Sequence, residues 1–268
     1  MFADNYDYQQ HVWKNMFVAI VSVDFPSNRR RVERLQKELR GIGISPGYVC
    51  LGKKVQRFEQ RVTAVFNCHR DIATWFVKNK PCRYLLILED DAEICASSVS
   101  KKIIEALVKV HNCNPNWLAL HLSCFALSRM YKTSESGIYM TKGYAAHSYI
   151  LNGRRLRYWL DTIPNWTVPY ALEKWKSVPD RVIFSVHPML FTQTVHCNWI
   201  QRMFVPGIND SRKWHKYVNS LNTLNIYMEE IFCLFILVCV ITRFSPYMFG
   251  LFLLLIYLFL ISSIIREQ

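Results

Sequence analysis

The stretch Tyr84-Leu85-Leu86-Ile87-Leu88-Glu89-Asp90-Asp91-Ala92-Glu93-Ile94 begins as an almost unbroken apolar run and ends in three consecutive carboxylates. A run of this length fits a strand buried on both faces, as in a mostly parallel sheet covered by helices. Its acids then fall at the carboxyl edge of the strand, where open α/β sheets form their ligand crevice. Adjacent carboxylates repel one another, so the cluster is costly unless a cation or a donor-rich ligand shares it. Hard divalent ions such as Mn²⁺ and Mg²⁺ take oxygen ligands and bridge to phosphates. Taken alone, the same residues also fit a strand that runs out into a solvated acidic turn.

Outward from that strand the chain keeps an α/β rhythm. Phe17-Val18-Ala19-Ile20-Val21-Ser22-Val23 is apolar and β-branched, a first strand that ends at Asp24. Phe25-Pro26-Ser27-Asn28 makes a turn, and Ser27 or Asn28 is placed to cap a helix over residues 29–40. Val32, Leu35 and Leu39 recur there at spacings of three and four, and Gly41-Ile42-Gly43 stops the helix. A second strand is expected over 48–51, helices over 58–78 and 97–110, and a strand over 117–122. Beyond it come two short strands around the turn Ser134-Glu135-Ser136-Gly137, a strand over 143–151 and a basic helix over 154–160. A Trp- and Pro-rich loop with a short helix fills 162–179, and Val182-Ile183-Phe184-Ser185-Val186 is the last strand, closed by His187-Pro188. Strand, turn and helix in this order are the units of an α/β fold.

The chain has 268 residues, 51% of them hydrophobic, enough for one sizeable globular domain with an appended element. A net charge of +13 and a pI near 9.4 imply an anionic partner: nucleic acid, a membrane surface or a phosphorylated substrate. The basic residues are dispersed apart from Arg29-Arg30-Arg31 and Arg154-Arg155, so nucleic acid has only charge in its favour. The 9 cysteines include no CxxC pair and no Cys/His group with zinc spacing. Their odd count and irregular spacing favour buried free thiols over a disulfide framework. An oxidising lumen would allow one or two bridges, and there Asn165-Trp166-Thr167 and Asn209-Asp210-Ser211 would be glycosylation acceptors.

Two strand ends now carry acids or phosphate-friendly groups: Asp24 with Arg29 and Arg30 close behind, and Glu89, Asp90 and Asp91. A nucleotide lying across such a crevice would set its ribose against Glu89 or Asp90 and its diphosphate over a divalent ion at Asp91. Each arginine also fits a solvated helix start. An apolar strand ending in acids resembles the metal-side acid of a P-loop ATPase, but no Gly-x-x-x-x-Gly-Lys-[Ser/Thr] occurs in the sequence.

In order along the chain, several of these blocks resemble the family 25 glycosyltransferases, which include lipooligosaccharide and procollagen galactosyltransferases. Val21-Ser22-Val23-Asp24, Pro26 and Asn28-Arg29 are similar to the family's opening strand and turn, with Ser22 in place of its Asn. Cys68-His69 followed by Trp75 resembles its Ser-His pair, and Leu86-Ile87-Leu88-Glu89-Asp90-Asp91 matches its acid block closely. Gly143-Tyr144 through Ser148-Tyr149-Ile150-Leu151 and Pro188-Met189-Leu190-Phe191-Thr192-Gln193 resemble its later elements. The resemblance implies a GT-A-like fold, a nucleotide-sugar donor (often UDP-galactose) and Mn²⁺-dependent, inverting transfer to a hydroxyl of a glycan or protein acceptor. On the crevice reading, Asp24, Arg29, Glu89 and Asp90 are the expected donor contacts, and Asp91 with Glu89 the expected ligands of Mn²⁺ or Mg²⁺. Inversion needs a base, and Asp161 and Glu173 lie where the family's acid is expected, Glu173 departing from its usual Asp. His147 and His187 read as structural histidines rather than bases.

From Glu229-Glu230 onward the composition changes: 231–242 is apolar, Arg243-Phe244-Ser245-Pro246 interrupts, and 247–265 is apolar without a charge. As a helix the second run would reach about 28 Å, close to a bilayer core of about 30 Å. Basic residues precede it (Arg202, Arg212, Lys213, Lys216) and only Arg266 follows, which keeps the preceding domain cytoplasmic, with the ER or Golgi lumen as the alternative. A hairpin turning at 243–246 is the other arrangement of this segment. Residues 1–15 do not read as a signal peptide. The expected organisation is an extension (1–15), a glycosyltransferase domain (16–205), a linker (206–230) and a C-terminal membrane segment (231–268). The rival reading is a catalytically inactive, membrane-anchored relative that acts as a binding module.

Overall fold

Successive side chains of a strand point to opposite faces, and β1 (Met16–Val23) is buried along nearly its whole length. Met16, Val18 and Ile20 enter one apolar cluster and Ala19 and Val21 another. β3 (Tyr84–Glu89) divides in the same way, with Tyr84, Leu86 and Leu88 on one side and Leu85 and Ile87 on the other. Strands apolar on both faces need a helical layer on each. Helix α1 (Pro26–Gly41), through Val32, Leu35 and Leu39, and α3 (Val99–Cys113), through Ile103, Leu107 and Val110, supply the first. Helix α2 (Phe58–Asn79), through Cys68, Ile72 and Phe76, and α4 (Gly153–Thr162), through Leu156, supply the second. These elements belong to a computed structural model that describes residues 11–23, 26–52, 58–123, 130–141, 147–162, 182–193 and 211–227, with 230, 231 and 233.

The main sheet has 8 strands. Their order is β2 (Tyr48–Gly52), β1, β3, β8 (Ser148–Asn152), β5 (Ala119–His121), β9 (Ile183–Val186), β7 (Ile138–Met140) and β6 (Tyr131–Lys132). β1 pairs in parallel with β2 and β3, and β5 with β9. β8 runs antiparallel between β3 and β5, and β7 antiparallel to β9 and β6. The sheet is therefore parallel over its first three strands, β2, β1 and β3, and mixed beyond them. Part of the reason is local, since a tight turn such as that before Ile138 can join only antiparallel strands. A second, two-stranded sheet pairs β4 (Ala92–Ile94) with β10 (Phe191–Gln193).

Boundaries shift where local chemistry outweighs pattern. α1 begins at Pro26, ahead of the expected cap at Ser27 or Asn28, because proline suits the first helical position, where its missing N–H is not needed. Asn28 instead accepts a hydrogen bond from Arg31 Nη2 at 2.6 Å. The other end of α1 is as expected: Gly43 takes φ 79° and the Ile44 N–H returns to the Leu39 carbonyl at 2.9 Å.

By its contacts the chain divides into two compact units, Met1–Thr194 and Val195–Gln268. In the second, residues read as a linker form α5 (Ser211–Ile226), with Trp214, Tyr217, Val218, Asn222 and Ile226 buried at three- and four-residue spacing. Among the described residues no helix is long and apolar enough to cross a membrane. The expected membrane segment lies outside the described residues apart from 231 and 233.

Candidate active site

The three carboxylates at the end of β3 turn to three different sides. Glu89 is the last strand residue, in phase with Leu85 and Ile87, so it faces the α2 layer. There His69 of α2 meets it, Nε2 to Oε1 at 3.1 Å, and His69 Nδ1 lies 2.7 Å from the Tyr149 hydroxyl. An ionised carboxylate only accepts, so Nε2 carries the proton, and in the neutral ring Nδ1 accepts from Tyr149. On its other oxygen Glu89 takes His147 Nδ1 at 2.9 Å.

Asp90 turns toward α1. The Ser22 hydroxyl donates to its Oδ2 at 2.5 Å, Arg31 Nη2 lies 3.3 Å away, and its own N–H donates to the Val21 carbonyl at 3.0 Å. Ser22, where the resembled family carries Asn, thus ties β1 to the acidic turn. One helical turn on from Arg31, Arg34 pairs with Glu93 at 3.2 Å, so α1 neutralises this flank at two points.

Asp91 turns toward the small sheet, where Gln193 Nε2 of β10 donates to its Oδ2 at 2.7 Å. Its Oδ1 lies 3.8 Å from His147 Nδ1. His147 therefore stands between Glu89 and Asp91. Its place follows from strand register: Leu88 pairs with Ser148 across β3 and β8, and on the next rung the Glu89 N–H donates to the His147 carbonyl at 2.8 Å.

Burial and charge pull these groups in different directions. Burial alone would raise Glu89, but the charges and hydrogen bonds of His147 and His69 outweigh it and hold the carboxyl well below its ordinary range. Burial would lower His147, yet the Glu89 charge and hydrogen bond, with Asp91 behind them, raise it to about 9. Burial pushes Asp90 up to about 6 against the opposing pull of Ser22 and Arg31, and it raises Asp91 as well. At neutral pH His147 is thus cationic between two acids.

A cation can take the place of that proton. One ligand atom each from Glu89, Asp91 and His147 lies within 4.8 Å of the others. Adjacent ligands of an octahedral ion at about 2.1 Å stand about 3 Å apart. The 2.9 and 3.8 Å separations from His147 to the two carboxylates are already close to that. The donor set therefore fits a divalent ion, and its second partners (His69 on Glu89, Gln193 on Asp91) fix the carboxylates from behind.

Of the residues expected at the site, the structure brings together Glu89 and Asp91, with Asp90 beside them but anchored to Ser22 and Arg31. Arg29 is exposed in the first turns of α1. Asp161 lies in α4, its side chain outside the described residues; Asp24 and Glu173 lie outside them altogether. From the sequence His147 reads as a structural histidine, and no role falls to His69, Tyr149, Arg31 or Gln193. His69, Tyr149 and Gln193 lie in the Cys68-His69, Ser148–Leu151 and Pro188–Gln193 blocks quoted for the resemblance, and Arg31 lies in the Arg29-Arg30-Arg31 run. Nothing in the spacing pointed to His147, because its partner is set by the pairing of two strands distant in sequence.

No family model matches the sequence, and no curated protein matches it. Among solved structures, one likeness is to a glycosyltransferase involved in the glycosylation of the major capsid of PBCV-1. It has 15% identity, covers 69% of this chain and 96% of that one, and has a TM-score of 0.41. Another is to UDP-glucose pyrophosphorylase complexed with UDP-glucose, at 12% identity over 68% of this chain and 76% of that one, TM-score 0.34. Likenesses of that strength assign neither family nor activity. The resemblance to family 25 rests on the residues quoted for it.

Proposed function

We propose that the chain is a metal-dependent glycosyltransferase that moves a sugar, galactose first among candidates, from a UDP-sugar to a hydroxyl of a glycan or protein acceptor. The observation that carries this reading is the Glu89–Asp91–His147 donor set at the carboxyl edge of a central strand. Of the two ions expected there, Mn²⁺ fits better, because Mg²⁺ holds almost wholly to oxygen and one donor here is an imidazole. When bound, such an ion would neutralise charge on the donor diphosphate, including the charge that develops as the diphosphate leaves. The chain's own part is to hold that geometry. His69 and Tyr149 fix Glu89, Gln193 fixes Asp91, and Arg31 sets a positive charge beside the turn through Asp90. Asp24 and Arg29 are the proposed contacts to the nucleotide, and Asp161 or Glu173 the base that takes the acceptor proton. The segment 231–268 is the proposed membrane anchor, with the catalytic unit on the cytoplasmic side.

The test is turnover of a panel of nucleotide sugars with and without Mn²⁺. The reading expects hydrolysis or transfer from at least one donor, lost on chelation. No turnover and no metal-dependent donor binding across the panel would refute it.

One observation favours the binding-module reading. Both oxygens of Glu89 are already paired with imidazoles, His69 on one and His147 on the other. A relative that has lost catalysis would keep this network, and its binding of nucleotide sugars would be indifferent to Mn²⁺ and to chelator.

A further inference from the structure

The edge of the main sheet opposite the acids is basic. β3 runs about 17 Å from Tyr84 to Glu89, so the amino ends of β1 and β3 lie about that far from the candidate active site. Around those ends stand Lys14, Lys78, Arg154 and Arg157, all exposed, with Lys80 and Arg83 half-buried among them. Short contacts join the segments that carry them. The Arg83 N–H donates to the Asn15 carbonyl at 2.9 Å, the Gly153 N–H to the Arg83 carbonyl at 2.8 Å, and Arg157 Nη2 to the Val77 carbonyl at 3.0 Å. Among the described residues none of these cations has an ion pair, whereas Arg31 and Arg34, beside the acids, each have one.

Local chemistry accounts for part of this. Lys78 and Arg157 lie at the carboxyl end of α2, where a helix favours cations. Arg154 and Arg155 stand in the first turn of α4, where a helix favours acids, and that turn has none. No described carboxylate offsets that placement; an anionic surface outside the chain would. Beside the cations is a cluster of rings. Tyr48, 38% exposed at the start of β2, stacks on Trp75 with centroids 5.0 Å apart, and Trp75 lies 5.3 Å from Phe17. Lys80 Nζ stands 5.1 Å over Phe17 and 5.3 Å over Trp75. Tyr and Trp bordered by Lys and Arg is the composition of a membrane–water interface. Single-stranded nucleic acid would instead stack its bases on open rings, and Trp75 already carries Tyr48 and Lys80 on its ring.

We propose that this edge docks on an anionic lipid surface, its cations against the headgroups and Tyr48 at the interface, with the carboxyl edge and its acids turned away from the bilayer. The choice of a bilayer rests on the proposed anchor at 231–268 and the cytoplasmic side proposed with it, because the cytoplasmic leaflet carries the anionic lipids. Each cation close to such a surface strengthens attachment about fivefold. The attraction fades within a Debye length, so it weakens as salt rises.

The test uses the full chain with vesicles of phosphatidylcholine alone or mixed with phosphatidylserine. Flotation reads binding, and acylation of surface lysines, mapped by peptide mass, reads which face is covered. Phosphatidylserine should slow the acylation of Lys14, Lys78 and Lys80, while Lys101 of α3, paired with Glu105, keeps its rate. High salt should remove the difference. Lys78→Gln and Arg154→Gln touch no hydrogen bond of the described fold; they should weaken docking about fivefold each and about 25-fold together, so that Lys80 returns toward its free rate. Flotation on phosphatidylcholine alone reports the anchor separately. A chain that fails to float there, yet floats with phosphatidylserine and protects Lys80, loses the anchor reading and keeps this one. Equal Lys80 rates on the two kinds of vesicle in a floated chain would overturn the proposal, as would protection unchanged in the double variant. Polyuridylate that protects the same lysines in preference to the vesicles would make nucleic acid the partner and overturn it too.

Discussion

His69→Ala separates a positioning role from a structural one. The side chain is only 8% exposed and makes two hydrogen bonds, 2.7 Å to the Tyr149 hydroxyl and 3.1 Å to Glu89 Oε1. A hydrogen bond to a charged group contributes about 1.5–3 kcal/mol and a neutral one about 0.5–1.5 kcal/mol. Removing both from a buried site, and leaving a void, should lower the unfolding free energy by about 2–4 kcal/mol. Purely structural damage would end there. If His69 orients Glu89 as a ligand, the folded variant should also bind Mn²⁺ about 10- to 100-fold more weakly. That is a loss of about 1.4–2.8 kcal/mol. Tyr149→Phe breaks only the outer bond and should fall between wild type and His69→Ala, and His69→Gln should recover part of the affinity by restoring one donor. The assay is an Mn²⁺ titration by calorimetry well below the thermal midpoint, with the midpoint measured separately. A folded His69→Ala protein that binds Mn²⁺ within about twofold of wild type would refute the positioning argument.

Asp91→Ala should abolish metal-dependent turnover while far-ultraviolet circular dichroism stays native, since it removes one carboxylate at a strand end with its contacts to Gln193 and His147 and leaves the apolar layers intact; unchanged activity would refute the metal assignment. Mn²⁺ affinity should rise with pH, because His147 must lose its proton to act as a ligand and titrates at about 9 in the folded chain. The sign for stability is opposite. A histidine raised above its unfolded value of about 6.5 stabilises the metal-free fold fully below that pH, and the contribution is lost as pH rises through about 9. Titrations from pH 6 to 9 that show no proton release on Mn²⁺ binding would contradict both statements. Leu86→Ala, at a fully buried position of β3, should cost about 2–5 kcal/mol in urea unfolding, and a cost under about 1 kcal/mol would mean that the core is packed differently.

Elements whose signal is local were legible in the sequence. β1, β3 and the first three helices could be read from apolar runs and three-four spacing, and the sheet's two covered faces followed from strands without a polar side. The short strands were harder. β4 and β10 have only 3 residues each, too few for a period to declare itself, and the antiparallel course of β8 between β3 and β5 has no local cause in its own sequence. At the site, Glu89 and Asp91 were found because they sit at the end of a legible strand. His147, His69 and Gln193 reach them from other elements, brought there by register and packing that no spacing rule encodes.

That dependence on register explains how three adjacent acids can coexist. Neighbouring side chains at the end of a strand point away from one another, so the chain need not gather three like charges at one point. Glu89 goes to the α2 layer and two histidines, Asp90 to α1 with Ser22 and Arg31, and Asp91 to the small sheet and Gln193. Glu89 and Asp91 remain close enough to share a charge, and His147 stands between them. Its position there is locked by the core, because Tyr149 and Leu151 pack in one layer and Ile150 in the other. A slip of β8 by one residue would turn each of them to the wrong face and carry His147 off Glu89 at the same time. The apolar alternation that buries β8 is thus also what builds the donor set, and loosening one must loosen the other.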